Sequence, residues 1–191
     1  MTKFAAFLAT SLDGFIARSD GSIDWLEQAN ALVQGGEDCG YLEFFNSVDG
    51  IVLGRKSFEK VMSFPEWPYN GKKVYVLSRG GLKCEQVELP SDVHVLSANI
   101  EDLAQSLQDK GHHKVYVDGG EVIRQFIHAR LLDELTITRV PVLIHSGTPL
   151  FKNDRSEGAS QRSDVWMELV QSRTWPFGFT QDVWHFKNRR C

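Results

Sequence analysis

Two short stretches of the chain carry residue types suited to holding phosphate. In the first, Gly50-Ile51-Val52-Leu53 ends at Gly54-Arg55-Lys56-Ser57, and Phe58, Val61 and Met62 follow at helical spacing. In the second, Val115-Tyr116-Val117 stops at Asp118-Gly119-Gly120, and Val122, Ile123, Phe126 and Ile127 follow at helical spacing. Each stretch reads as strand, glycine turn, helix. Glycine lets the backbone turn sharply and keeps side chains out of a ligand's way. The helix start supplies unpaired N–H groups and a partial positive charge. A glycine pair alone is equally compatible with a tight turn that binds nothing; the second junction of the same kind moves the reading toward a ligand. Two such junctions on neighbouring strands suit a molecule with two separated phosphate groups, and a dinucleotide is the natural candidate. Arg55 and Lys56 suit an extra monophosphate, the group that separates NADP from NAD. Arg79, just after a third strand, suits the same role or stacking on an adenine face. For each cation a solvated surface charge is the alternative. The chain has neither GxxxxGK[ST] nor GxGxxG, so neither an ordinary P-loop nor the standard Rossmann fingerprint applies. Hydride transfer from a nicotinamide needs positioning and usually one proton donor, with no metal and no protein nucleophile. That matches a sequence without a metal-ligand cluster.

The elements that must position these stretches follow from periodicity. Lys3 to Thr10 reads as a strand buried on both faces. Ser11 to Gly14 is a turn, and Ser22 is placed to cap a helix over Ile23, Trp25 and Leu26. Residues 34–40 read as a loop and Tyr41 to Asn46 as a short helix. Lys73 to Leu77 and Val93 to Leu96 read as strands. Ile100 to Gln108 is a helix with Ile100, Leu103, Ala104 and Leu107 on one face. A strand lies within Leu131 to Val140, and Gly147 to Phe151 is a turn with one apolar anchor. Residues 152–164 read as polar and mobile. Trp166 to Arg173 and Phe177 to Lys187 read as an antiparallel pair at a sheet edge. Strands alternating with helices predict an α/β fold with a mainly parallel sheet, helices on both faces and antiparallel strands at the end. Such sheets take ligands at the carboxyl ends of their strands.

Composition narrows the classes. The 191 residues are 42% hydrophobic and 24% charged, which suits a single domain over 1–191 with a sizeable core. The formal net charge is -4, and basic residues form no run longer than a pair such as Arg189-Arg190 at the tail, so nucleic acid is not an expected partner. No apolar run is long enough to span a bilayer and the N-terminus lacks a signal-peptide pattern. Cys39, Cys84 and Cys191 are scattered and odd in number, which fits a reducing cytoplasm rather than a disulfide framework or a zinc site.

The chain resembles the dihydrofolate reductase-like family. It is most similar to the branch of the riboflavin-biosynthesis reductase (RibD C-terminal) domain and its small stand-alone homologues. The resemblance is carried by ATSLDGFIA (9–17), IVLGRKSFE (51–59), KVYVLSR (73–79), VYVDGGEVIRQF (115–126), LDELTITRVPVLIHSGTPLF (132–151) and the closing strand pair, in the family's order over nearly the whole chain. It implies a three-layer α/β/α fold and an NADPH site. Gly54, Arg55, Lys56 and Ser57 match the family's Gly-Arg-x-[ST], which serves the cofactor's phosphates. Leu77, Ser78 and Arg79 match the segment flanking the adenosine part. Gly119, Gly120, Glu121 and Val122 match the glycine pair and helix start against the pyrophosphate. Thr148 matches a loop that reaches the nicotinamide ribose, and Ala9 and Ile16 match positions beside the nicotinamide. Asp13 and Gly14 belong to the SLDG turn typical of the riboflavin-type branch.

The chain departs from the folate enzymes at the acid. They carry a carboxylate on the first long helix; here Glu43 is the nearest one, at a shorter spacing to Gly54, and an exposed helix residue is its alternative reading. Asp13 is the other candidate for a catalytic carboxylate, and a turn residue bonding its own backbone is its alternative. Trp25 falls in the neighbourhood of the family's tryptophan. No zinc deaminase signature is present. Three readings follow. The first is an NADPH-dependent reductase delivering hydride to a small pterin- or pyrimidine-like heterocycle. The second is a 5-amino-6-(5-phosphoribosylamino)uracil reductase of riboflavin synthesis, which needs basic residues at the substrate phosphate that the sequence does not identify. The third is a nucleotide-binding module that has lost catalysis, which would hold NADPH without oxidising it. Trp166, Trp175, Phe177, Phe179, Trp184 and Phe186 enrich the C-terminal strands; with the dimers common among riboflavin-type relatives, they point to a homodimer, an ordinary core under the loops being the alternative.

Overall fold

The computed structural model describes residues 1–33, 35–81, 89–151 and 164–187. Residues 152–163 of the polar segment, Gln34, Cys84, the Arg189-Arg190 pair and Cys191 lie outside the described residues. In chain order the elements are β1 (Lys3–Ser11), β2 (Phe15–Ala17), α1 (Asp24–Asn30), α2 (Tyr41–Ser47), β3 (Gly50–Gly54), α3 (Arg55–Val61), β4 (Lys73–Leu77) and β5 (Val93–Leu96). There follow α4 (Ile100–Asp109), β6 (Lys114–Asp118), α5 (Gly120–His128), β7 (Glu134–Val140), β8 (Thr148–Pro149), β9 (Met167–Thr174) and β10 (Thr180–Phe186). They group into two compact units, Met1–Phe7 with Tyr41–Leu132 and Leu8–Gly40 with Asp133–Cys191.

In the first unit the strands lie side by side in the order β5-β4-β3-β6-β1, and every neighbouring pair is parallel. The central strands are buried on both faces because helices cover both, so they read as unbroken apolar runs. Alternation splits each run between two cores. On one face Ala5, Ile51, Leu53, Val74, Val76 and Tyr116 pack with Phe44 of α2 and Phe58 of α3. On the other face Phe126 of α5 meets Phe4, ring centroids 4.9 Å apart. α4 forms where the spacing of Ile100, Leu103, Ala104 and Leu107 predicts it, and Asn99 caps it by accepting the Asp102 N–H at 2.8 Å.

In the second unit β7, β10 and β9 form an antiparallel ladder, and β2 pairs antiparallel with β8. Trp25, Ala29, Cys39, Val140, Ile144 and Phe179 form its core, with Trp175 and Phe177 packed against them. Gln181 is buried in this ladder and donates to the Cys39 carbonyl at 2.9 Å and to Thr138 Oγ1 at 2.8 Å, so its polar end is satisfied. Asp182 is held by Arg139 at 2.6 Å and by the Ser172 hydroxyl at 2.7 Å. β9 is exposed along nearly its whole length, and Trp166, Leu169 and Val170 stand out from it and the residue before it.

One expected cap is corrected. Ser22 does not cap α1: the residue before the helix is Ile23, with no side-chain cap bond. Asp24, the first helical residue, instead pairs with Arg18 at 2.6 Å, and Ser22 lies in the turn this ion pair closes, its N–H donated to Asp20. No helix among the described residues is long and apolar enough to cross a membrane.

Phe126 is fully buried at the α5–β1 contact, so Phe126→Ala is expected to lower unfolding free energy by about 3–5 kcal/mol. Urea melts followed by tryptophan fluorescence check this; a loss near zero would place the ring outside the core.

Candidate functional site

β3 and β6 are adjacent and parallel, with Leu53 opposite Asp118. Both strands therefore end at the same sheet edge, and each runs at once into a helix. Gly54 precedes α3 and Gly119 precedes α5, neither with a side-chain cap bond. Each glycine faces the helix that follows the other. A Cβ on Gly119 would run into the Ser57 side chain of α3, and one on Gly54 would approach Cγ2 of Val122 in α5 at 3.1 Å. Gly119 also has φ +88°, a conformation that L side chains rarely adopt. The first turn of each helix thus occupies the space left by the glycine of the other. The product is a pair of helix starts at neighbouring strand ends, backbone amides foremost. α3 has no acidic residue in its first turn, and Arg55 and Lys56 stand there. Glu121, in the first turn of α5, is drawn along its own helix to Arg124 at 2.7 Å.

β4 ends at the same edge, since Gly54 lies opposite Leu77. Ser78 continues the ladder by donating its N–H to the Leu96 carbonyl at 2.9 Å, its hydroxyl bonds the Gly81 carbonyl, and Arg79 is exposed. Gly54, Arg55, Lys56, Ser57, Leu77, Ser78, Arg79, Gly119, Gly120, Glu121 and Val122 are in this way all placed along one sheet edge of the first unit. Arg55 lies 3.9 Å from Glu59 one turn on, a loose pair that leaves its guanidinium available. The edge has what a dinucleotide's phosphates require: glycine backbone, helix starts and two cations.

Asp118, which sequence reasoning took only as the end of a strand, is the polar centre of this edge. Its Oδ1 accepts the Gly119 N–H at 2.8 Å and its Oδ2 accepts the Tyr69 hydroxyl at 3.2 Å. Burial pushes its carboxyl above the ordinary carboxylate range, against the pull of the hydrogen bonds from Gly119 and Tyr69; the buried Tyr116 hydroxyl donates to the Phe7 carbonyl at 2.9 Å. Burial, and then the charge of Asp118, raise Tyr41 to about 12 and push Tyr69 and Tyr116 higher still. These tyrosines belong to an aromatic series. Phe7 to Tyr41 is 5.7 Å between centroids, Tyr41 to Phe45 5.9 Å, Phe45 to Tyr69 6.4 Å and Tyr69 to Trp67 5.2 Å. The signal in the sequence was an acid set between an apolar run and a glycine pair, where the fold has no structural need for a charge.

The two carboxylates singled out from sequence sit differently. Glu43 is exposed in the first turn of α2. Asp13 lies in the second unit, in the turn between β1 and β2. It accepts the Ser11 hydroxyl at 2.6 Å and the backbone N–H groups of His145 at 2.8 Å and Ile144 at 3.4 Å. Burial alone would raise its pKa, but these hydrogen bonds outweigh it and hold the carboxyl below its ordinary value. A carboxylate so engaged ties two loops together, the turn role its sequence position allowed. Ala9 in β1, Ile16 in β2 and Thr148 in β8 are also in the second unit and half-buried; Ala17, next to Ile16, pairs with Thr148.

Comparison with known proteins places this architecture. The chain is 37% identical to the uncharacterized protein YwjB of Bacillus subtilis (strain 168) over 153 residues, 78% of this chain and 82% of that one. A protein of Shewanella sp. PV-4, assigned provisionally to riboflavin biosynthesis, has a crystal structure that superposes with a TM-score of 0.80. The two are 33% identical, with 98% of this chain and 100% of that chain covered. Dihydrofolate reductase from Enterococcus faecalis, solved with NADP(H) and RAB-propyl, is 19% identical with a TM-score of 0.63 and 97% of each chain covered. At that identity the likeness is one of fold, and the fold is dihydrofolate reductase-like α/β. The family model of the RibD C-terminal domain matches residues 2–179, and the chain belongs to that family.

Proposed function

We propose that this protein is an NADPH-dependent reductase that transfers hydride to a small pterin- or pyrimidine-like heterocycle. The observation that carries the reading is the pair of interlocked helix starts at the carboxyl ends of β3 and β6. The turns at Gly54 and Gly119-Gly120 bring the first turns of α3 and α5 side by side, with Ser57 between them, so that their amides can serve a phosphate, and Arg55 and Lys56 give charge for a 2′-phosphate. Arg79, at the end of β4, suits the adenosine part. The bound cofactor would supply the hydride; what the chain supplies is position and a proton. Asp118 is the acid best suited to hold that proton, because burial favours its neutral form. The half-buried ring of Tyr41 beside Phe7 and Phe45 suits stacking on a planar heterocycle.

A second reading keeps the cofactor and takes a phosphoribosylamino-pyrimidine as substrate, as in riboflavin synthesis. The full-length likeness to the Shewanella protein favours it. Assaying NADPH oxidation with dihydropterins, dihydrofolate and that pyrimidine separates the two. Oxidation with none of them, alongside tight NADPH binding, would favour a binding module instead.

Two variants test the phosphate assignments. Arg55→Ala is expected to weaken NADPH binding by roughly 1–3 kcal/mol, the scale of a charge-assisted contact, while leaving NADH nearly unchanged. Equal losses for the two nucleotides would remove Arg55 from the 2′-phosphate. Gly119→Ala is expected to weaken NADPH and NADH alike. It also costs stability, on the order of 1–3 kcal/mol for the left-handed backbone, plus the displacement of Ser57. Fluorescence titration and thermal melts read both effects, and unaltered binding by a folded Gly119→Ala protein would take the pyrophosphate off this turn.

A further inference from the structure

We propose that Asp118 takes up a proton when the dinucleotide binds at the glycine junction, so that cofactor binding itself charges the acid. This rests on the reading of the junction as the cofactor's phosphate site. The geometry is direct. Asp118 Oδ1 sits 2.8 Å from the Gly119 nitrogen, on the amide that opens the turn into α5, and its Oδ2 sits 3.2 Å from the Tyr69 hydroxyl. The carboxylate therefore stands at the same helix start that the phosphates are proposed to use.

The groups facing it from each packed element decide which way its equilibrium moves. β6 contributes Tyr116, α2 contributes Tyr41 and the segment before β4 contributes Tyr69, all neutral near pH 7. Arg55 and Lys56 open α3, with Arg55 paired to Glu59. Glu121 opens α5 and is paired to Arg124. Among the described residues, the hydrogen bonds on the carboxyl come from the Gly119 amide and the Tyr69 hydroxyl, while the Tyr116 hydroxyl donates to the Phe7 carbonyl at 2.9 Å. Dipoles stabilise its charge, and the desolvation they offset already favours the neutral form. A diphosphate arriving beside it brings like charge and competes for the same helix-start dipole. Both effects disfavour the carboxylate. The step is one proton from solvent to carboxylate, giving the neutral acid, with no electron transferred. By linkage, a proton gained on binding makes affinity fall as pH rises. A reduction consumes one hydride and one proton, and this arrangement gathers the proton when the hydride carrier arrives.

The test is calorimetric titration of the full chain with NADPH from just above the ordinary carboxylate range up to about pH 9, in buffers of different ionisation enthalpy, which reads protons exchanged per nucleotide. Wild type is expected to take up a substantial fraction of one proton, with Kd weakening several-fold across the range; about tenfold per pH unit is the ceiling for one proton. Asp118→Asn preserves the acceptor oxygen toward Gly119, and it is expected to bind with a nearly flat pH profile. Tyr69→Phe serves if Asp118→Asn does not fold. Losing the hydroxyl that stabilises the carboxylate moves the pH dependence to higher pH. Zero uptake by wild type, or equal uptake by wild type and Asp118→Asn, overturns the proposal while leaving the cofactor site standing. Failure of wild type to bind NADPH at all overturns the cofactor reading itself.

Discussion

The site depends on one reciprocal steric constraint. A Cβ on Gly119 would collide with Ser57, and one on Gly54 would crowd Cγ2 of Val122 at 3.1 Å. That exchange brings α3 and α5 to neighbouring strand ends with their first turns side by side. It can form only because β3 and β6 are parallel and in register to their last residues, and that register is held by cores on both faces of the sheet. A substitution at either glycine therefore acts on fold and site together. Backbone amides at a helix start are useful to an anion only if nothing larger than hydrogen stands in front of them.

Asp118 is the second consequence of that edge. A carboxylate enclosed by tyrosine rings is costly unless it is hydrogen-bonded or neutral. Here two donors hold it, and burial still raises its pKa above the ordinary carboxylate range. The sign of its effect on stability follows. Its pKa is raised on folding, so from the unfolded carboxylate value up through the folded value the native state binds more protons than the unfolded chain. Stability contributed by this residue falls over that window as pH rises. Asp13 behaves in the opposite sense. Its lowered pKa contributes stability above the unfolded value, and that contribution is lost as pH falls through the folded one. Folding thus raises the pKa of one acid and lowers that of the other.

Much of this was legible in the sequence because it is written in local patterns. The runs at Ile51 to Leu53 and Val115 to Val117 are apolar at every position, as strands covered on both sides must be. The glycines follow them directly, and the helical spacing of Phe58 and Val61, or of Val122, Ile123 and Phe126, restarts at once. What could not be read was anything set by contact between distant segments. Ser22 has the right chemistry for a cap, but an ion pair between Arg18 and Asp24 fixes the start of α1. Asp13 and Asp118 each read as an acid beside glycine. Only the folded chain shows that one meets the amides of residues 144 and 145 while the other meets Tyr69, 49 residues away. The reciprocity of Ser57 with Gly119 is likewise a property of strand register, which no single stretch encodes.

The central claim is that the paired helix starts receive the cofactor's phosphates. The most direct measurement is the backbone amide spectrum of the isotope-labelled protein titrated with NADPH. The account predicts that the largest shifts fall on the amides of residues 54–58 and 119–123, saturating together with the fluorescence change. Saturable NADPH binding that leaves both groups of amides in place would contradict it.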